Sequence, residues 1–482
     1  MGVPARAGDL LERVDSALGE RLDQLVVAHH RRRLRRHGWL HALDAGSDGW
    51  AAGEPPPRTG NRLDVFVDGS DALPAIADAI EAARSHVWLA GWHFTPELRL
   101  REGGPTLREL LADAAERVEV RVLAWAGAPL PLFHPDRGEV REMRERLVAG
   151  TRILCALDDR ERPMHCHHEK LVIVDGRLAF VGGIDLTSLG GERFDWPFHP
   201  ARGHLGWHDA AALLEGPAVT DVAAHYALRW AEVSAEELPV ETRDPAGDVE
   251  VQIVRTIPNG VYGRLPRGDF RILESYVRAL SSAERLIYLE SQFLWSPELV
   301  DVLAEKLREP PCDEFRLVVL LPAKAKNGQE DTRGQLGVLA EADDGAGRFV
   351  ASTLYQCGDD GRPVYVHAKI GIVDDRWLTL GSANLNEHSL FNDTEMNLVT
   401  HDPALARAVR LRLWSEHLAC EPEELDGDPC ELVDERWRPA AQEQLDRRRR
   451  GEPTTHKLLL LPHVSRRAKG VLGPLNSFLV DG

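Results

Sequence analysis

Apolar positions recur every three to four residues near the start of the chain, at Leu10, Leu11, Val14, Leu18, Leu22, Leu25 and Val26, and predict an amphipathic helix over residues 9 to 40. This pattern runs into a basic block, Arg31-Arg32-Arg33-Leu34-Arg35-Arg36. A basic amphipathic helix can lie in the headgroup plane of an anionic membrane. A solvated helix docked on the body of the protein is the preferred reading. The Gly/Pro-rich stretch from Asp44 to Gly60, with Pro55-Pro56-Pro57, then interrupts all periodicity and reads as a linker.

Beyond it the pattern occurs twice. A strand-like run, His86 to Phe94, is followed by Thr95-Pro96-Glu97-Leu98, and Leu286 to Trp295 by Ser296-Pro297-Glu298-Leu299. A helical pattern follows in each case, around Leu107 to Ala115 and Leu299 to Leu307, and then a buried-strand run, Val118 to Trp125 and Phe315 to Leu321. Strands alternating with helices predict an α/β fold of largely parallel, helix-covered sheets. The chain therefore divides into an N-terminal extension (1–60), a first half (61–240), a second half (248–422) and a C-terminal extension (423–482). Asp244-Pro245-Ala246-Gly247 supplies the break between the halves.

Composition narrows the function. With 482 residues, 43% hydrophobic and 28% charged, the chain can bury a sizeable core and is neither disordered nor collagen-like. Its net charge of −19 has the wrong sign for a protein whose main task is to neutralise a nucleic-acid backbone. Apolar runs such as Leu458 to Leu461 fall far short of a membrane span, and no ordinary signal peptide precedes them, which points to a cytoplasmic protein. The six cysteines, at 155, 166, 312, 357, 420 and 430, lack framework spacing and read as reduced thiols. A Cys420–Cys430 bridge has only sequence proximity behind it.

Each half carries His-x-Lys-x-x-x-x-Asp: His168, Lys170 and Asp175, then His367, Lys369 and Asp374. Of the 58 Lys and Arg residues only seven are lysine, so two such motifs at matched places in a repeat are no accident. Residues i and i+2 of a strand project together, so each half offers an imidazole beside an ammonium. Two such faces meeting across a pseudo-two-fold axis would enclose one small anion. The chemistry that suits them is displacement at a phosphodiester. One imidazole attacks phosphorus to give a phosphohistidine, the other protonates the leaving oxygen, and the lysines hold the non-bridging oxygens. Neither metal nor cofactor is called for. Glycine and polar groups trail each motif, Gly182-Gly183-Ile184-Asp185 and Gly381-Ser382-Ala383-Asn384. Gly183 would let the backbone approach a phosphate, and Ser382 and Asn384 would donate to it. The acids expected to fix the histidine tautomers are Asp209 and Glu395.

With these motifs the sequence resembles the phospholipase D superfamily, and phospholipase D proper more than the nuclease branch. The supporting stretches are His168 to Asp185, Phe194-Asp195, Trp207-His208-Asp209, His225 to Trp230, Ile287 to Phe293 and Tyr365 to Asn386. The resemblance implies two similar α-β-α sandwich halves with one active site at their interface. It implies hydrolysis or transphosphatidylation of phospholipids, with water or an alcohol as acceptor and peripheral membrane contact. By the family pattern His168 is the nucleophile and His367 the acid/base, and Asp175 and Asp374 are mainly structural. A cardiolipin synthase-type transferase is the alternative, and a nuclease-type phosphodiesterase a more distant one. Two positions depart from the pattern: Asp185 stands where the second half has Asn384, and His388 where many relatives have Arg. Both bear on substrate choice. The chain also lacks room for the lipid-targeting domains and N-terminal membrane helices of some relatives, which favours a soluble bacterial-type enzyme.

Three other features carry bland readings beside sharp ones. His165-Cys166-His167-His168 invites a zinc site, but consecutive strand residues face opposite ways, so no metal is expected. Trp196-Pro197-Phe198-His199-Pro200 reads equally as a lipid-dipping loop or as a cover over the first half. Lys324 and Lys326 either widen the anion funnel or lie on a solvated loop, the latter preferred.

Overall fold

The computed structural model describes residues 24–46, 49–130, 133–189, 206–323, 329–357 and 361–461. Strands of the first half are β1 (Arg58–Val67), β2 (His86–Gly91), β3 (Glu119–Trp125), β4 (Leu154–Asp158), β5 (Leu171–Val174), β6 (Leu178–Gly182) and β7 (Ala210–Glu215). Those of the second are β8 (Val249–Ile257), β9 (Leu286–Glu290), β10 (Arg316–Leu320), β11 (Phe349–Tyr355), β12 (Ile370–Val373), β13 (Trp377–Gly381) and β14 (Glu395–Thr400). Hydrogen bonding orders them β4-β3-β2-β5-β6-β7-β1 and β11-β10-β9-β12-β13-β14-β8. The two sheets have the same order and the same orientation of every neighbour, which makes the repeat structural.

The sheets are mixed, however, and the expectation of largely parallel sheets is corrected. Only β2-β3-β4 and β9-β10-β11 pair in parallel. The remaining neighbours pair antiparallel, and two of these pairs, β5–β6 and β12–β13, are tight hairpins. At β5–β6 the turn is made by Asp175 and Gly176 at φ of 56° each, and at β12–β13 by Asp374 and Asp375 at 54° and 50°. In each three-residue loop, Asp175-Gly176-Arg177 and Asp374-Asp375-Arg376, the first two residues take positive φ, which Asp and Gly supply at low cost.

Period-two burial explains the layers. On β2, Val87 and Leu89 face an outer core with helices Asp68–Glu81, Leu107–Ala115 and Arg137–Val148, while Trp88 and Ala90 face inward. On β9, Ile287 and Leu289 face helices Arg271–Ser282 and Pro297–Arg308, while Leu286 and Tyr288 join the inner core. Helices Val219–Ser234 and Pro403–Leu418 share that inner core with Trp437 and Ala441 of the tail. Each half is thus helix on sheet on helix, with the inner core continuous between halves. The sheets also touch directly: β1 pairs with β8, and the short strand Gly206–His208 runs parallel to Pro363–Val366.

The N-terminal helix is described from residue 24 and ends at 37, where Gly38 takes φ of +82°. Its first part lies outside the described residues. His30 stacks on Phe391 at 3.9 Å and bonds Glu298 at 2.8 Å, and Leu34 is fully buried, so this helix docks on the second half. The Pro-rich segment after it is tied down too: the Gln252 amide donates to the carbonyls of Ala51 and Pro55. In the tail, Leu458–Leu460 adds an antiparallel strand to β11. Cys420 and Cys430 are unbridged, and the Cys430 thiol donates to the Arg285 carbonyl. Among the described residues no helix is long and apolar enough to cross a membrane.

Candidate functional site

The two histidine motifs enter β5 and β12 from the same end, and each is anchored by the opposite half. The His168 and Glu169 N–H groups donate to the Thr394 carbonyl at 2.9 and 3.2 Å. The His367 and Ala368 N–H groups donate to the His208 carbonyl at 2.8 and 3.1 Å. The next residue in each anchoring segment is the carboxylate. Glu395 Oε1 lies 3.0 Å from His168 Nδ1, and Asp209 Oδ2 lies 2.7 Å from His367 Nδ1. Each histidine is therefore oriented by the half to which it does not belong. With Nδ1–H directed at a carboxylate, Nε2 faces away from it, bearing the lone pair in a neutral ring and a proton in an imidazolium.

The carboxylates differ. Glu395 is fully buried, and burial pushes its carboxyl well above the usual range against the pull of the Lys170 ammonium. The Ser389 hydroxyl donates to it at 2.6 Å and the Ser382 hydroxyl donates to its other oxygen. The Ser382 hydroxyl thus has Glu395 as its partner. Asp209 accepts from the Ala210 N–H at 2.8 Å. It occupies the space where a side chain at residue 183 would stand, since a Cβ there would lie 2.1 Å from Asp209 Oδ1. The missing side chain of Gly183 accommodates Asp209.

The lysines are buried and differently partnered. Lys170 Nζ lies 3.1 Å from Asp185 Oδ2, an ion pair. Lys369 donates to Gln292 Oε1 at 3.4 Å, the same oxygen that accepts from Asn384 Nδ2 at 3.3 Å. The Asp185/Asn384 difference therefore sets a carboxylate beside Lys170, and beside Lys369 the Gln292 amide oxygen that Asn384 shares. Both Asp185 Oδ1 and Asn384 Oδ1 are buried without a hydrogen-bond partner among the described residues. The loop from Ser382 to Asn384 links the pairs, because its Ser382 carbonyl lies 3.2 Å from His168 Nδ1 while Asn384 shares the partner of Lys369.

Asp175 and Asp374 lie elsewhere. A four-residue strand, about 13 Å at the usual rise, separates each from its lysine. Asp175 accepts from the N–H groups of Arg84, Ser85 and His86, and Asp374 from those of Glu284, Arg285 and Leu286. They tie each hairpin to the start of the neighbouring strand.

Several site residues escaped the sequence reading. Gln292 occupies the repeat position of Trp92, and a polar residue at the end of an apolar strand was the available signal. Glu169, between His168 and Lys170, points to the other face, where Arg229 grips it and His225 Nε2 bonds it at 2.7 Å. Burial opposes ionisation there, but Arg229 and His225 hold the Glu169 carboxyl at about 2. His208 sits between Asp68 at 3.1 Å and Glu290 at 2.8 Å. Burial opposes its protonation, yet those two carboxylates raise it well above the usual histidine value.

The run His165 to His168 is dispersed. His167 faces Asp158 at 3.2 Å, while His165 meets His388 at 3.1 Å and Asp393 at 3.4 Å. His165, His388 and Asp393 have the donor types and proximity to hold a cation. The same trio is also linked by hydrogen bonding between its own members. The Trp196–Pro200 loop, Phe194-Asp195, Lys324 and Lys326 lie outside the described residues.

A family model described as Phospholipase D matches residues 355–471. Phospholipase D A of Dictyostelium discoideum is 26% identical over 475 residues, covering 76% of this chain and 36% of that protein. Phospholipase D alpha 4 of Arabidopsis thaliana is 24% identical, covering 79% of this chain and 70% of that one. The major cardiolipin synthase of Bacillus subtilis is 27% identical over 362 residues, covering 72% and 67% respectively. The chain spans 36% of the length of the Dictyostelium and Schizosaccharomyces pombe relatives it matches. Among solved structures, phosphatidylserine synthase of Haemophilus influenzae shares the fold, with a TM-score of 0.50 at 12% identity over 75% of this chain and 86% of that one. With its doubled motif set in two matching α/β halves, the chain is similar to members of the phospholipase D superfamily.

Proposed function

We propose that this protein is a phosphodiesterase and phosphatidyltransferase that acts on phospholipids through a covalent phosphohistidine. The two halves, 61–240 and 248–422, form one centre from His168, Lys170, His367 and Lys369. His168 Nε2 attacks phosphorus, and the bond to the headgroup oxygen breaks as His367, which enters the step as an imidazolium beside Asp209, gives that oxygen its Nε2 proton. Water or an alcohol then transfers its proton to His367 and attacks phosphorus, and the His168–phosphorus bond breaks. Lys170 and Lys369, with the Asn384 amide, hold the non-bridging oxygens. Glu395 and Asp209 fix the two tautomers, and Asp185 limits the charge at Lys170. A cytoplasmic protein with this activity meets its substrate by peripheral contact with the membrane.

The observation that carries this reading is the crossed pairing, in which His168 bonds Glu395 and His367 bonds Asp209. The test is lipid mass spectrometry after incubation with mixed phospholipids and ethanol. Phosphatidic acid and phosphatidylethanol are expected, both lost in His168→Ala. Unchanged headgroup release by that variant refutes the nucleophile assignment. The relative named as a cardiolipin synthase supports a second reading, transfer between two lipids. Phosphatidylglycerol supplied as both donor and acceptor decides it: cardiolipin supports transfer, and phosphatidic acid alone opposes it.

A further inference from the structure

A second cationic site lies outside the histidine–lysine centre. The basic face of the N-terminal helix and the segment leading to His165 enclose a cavity of about 260 Å³ lined by His29, Arg32, Arg33, Arg36, His37, Arg162 and Asn259. None of these residues is acidic, in a chain whose net charge is −19. At its base Arg33 is 8% exposed. Its guanidinium donates to Asn259 Oδ1 at 2.6 Å, Asn392 Oδ1 at 2.8 Å and the Phe391 carbonyl at 2.8 Å. All three acceptors are neutral. Among the described residues, Arg33, Arg36 and Arg162 have no carboxylate partner. Burial together with the neighbouring Arg162 pulls Arg33 down to about 9, and the same cations lower His29 and His37 in addition to burial.

A buried guanidinium with no counter-charge, facing another arginine, is costly to maintain in a folded protein. Elsewhere this protein pairs its buried arginines with acids, as Arg229 with Asp158 and Arg271 with Asp269. Here the hydrogen bonds fix the guanidinium in place, and no carboxylate among the described residues compensates its charge. Exposed Arg32 and Arg36 stand at the mouth, so an anion can enter from solvent. Guanidinium groups match the oxygens of phosphate in number and planarity.

We propose that this cavity is a phosphate-binding site, distinct from the catalytic centre, that takes the phosphate of an anionic phospholipid headgroup or free phosphate. The site stands independently of the reaction assigned above. Its floor adjoins that centre: Phe391 and Asn392 lead into the segment that carries Glu395, and Arg162 precedes His165 to His168.

The test compares the full chain with an Arg36→Gln/Arg162→Gln double variant. Inorganic phosphate is titrated against sodium chloride of equal ionic strength while thermal unfolding is followed. In parallel, co-sedimentation with phosphatidylcholine vesicles, with and without phosphatidic acid, is measured in a His168→Ala background that keeps the vesicles intact. A phosphate-dependent rise in melting temperature that the double variant lacks identifies free phosphate as a ligand. No such rise, but a roughly 10- to 30-fold loss of binding to the phosphatidic acid vesicles in the variant, identifies the headgroup. Either result supports the site. Phosphate stabilisation and vesicle binding that both survive the substitutions, or the absence of both in the unsubstituted chain, overturn it. The variant is expected to melt no lower than the parent without phosphate, because like charges have been removed. If it unfolds, Arg36→Gln alone, at an exposed position, carries the same test.

Discussion

Replacing Gly183 by alanine perturbs the reaction without touching any group that meets substrate. The added Cβ would stand 2.1 Å from Asp209 Oδ1 and 3.2 Å from Oδ2, whereas ordinary contact begins at 3.4 Å. The neighbouring Ala210 backbone pairs with β6 through the Gly183 N–H, so the flexible partner is the carboxylate, which must retreat by about 1.3 Å. That displacement breaks the 2.7 Å bond to His367 Nδ1 and releases the ring from its tautomer. A misplacement of about 1 Å costs roughly 10²-fold in rate, and complete loss of an orienting acid roughly 10⁴-fold. Choline release from phosphatidylcholine is therefore expected to slow by roughly 10²- to 10⁴-fold in kcat, about 3 to 5 kcal/mol of transition-state stabilisation. Asp209→Asn, which keeps the shape and reverses the hydrogen bond, is expected to fall in the same range. A Gly183→Ala protein that is folded by circular dichroism and retains the parent rate refutes the claim that Asp209 acts through His367.

Further outcomes follow from the same contacts. His367→Ala is expected to accumulate a phosphatidyl adduct on His168, visible as added intact mass after acid quench, and His168→Ala none. Asp374→Ala removes an acceptor of three backbone N–H groups and is expected to cost roughly 2–4 kcal/mol in urea unfolding, while Asp374→Asn recovers part of it. For His208, whose value is raised by Glu290 and Asp68 against burial, the ion-pair contribution is fully present below about pH 6.5 and is lost as pH rises through the folded value. Denaturant midpoints should therefore fall from pH 6 towards pH 10, and His208→Gln should flatten that slope. Asp393 is held at about 2 despite burial by His165, the charge of His388 and the Cys166 N–H. Its stabilisation, about 2 kcal/mol, is present above the usual aspartate value and lost as pH falls through about 2, so Asp393→Asn should weaken the protein at pH 7 and have no effect near pH 1.

The sequence made the repeat and the two histidine–lysine pairs legible because both are local patterns: alternation over a strand and a spacing within one motif. Asp209 and Glu395 were legible as acids next to polar neighbours, but not which histidine each serves, since that pairing joins residues 158 and 227 positions apart. Strand direction was misread because β5–β6 and β12–β13 are joined by three-residue turns that begin at the motif's own aspartates. Gln292, Ser389 and the Glu169–Arg229 contact depend on which side chains the folded sheets bring together, and periodicity contains no such information. Gly183 was visible as a glycine, while the Asp209 carboxylate that needs its emptiness was not.

The exchange of partners between halves carries an evolutionary constraint. A primitive polypeptide of half this length, folding by itself, would present an imidazole with nothing to steer it and an acid with nothing to steer. Such polypeptides would be competent only as a self-associated pair, an encounter that is permanently intramolecular when both segments lie in one chain. In one chain, a change at Asp209 is felt at His367 and one at Glu395 at His168, so neither segment is free to drift without the other.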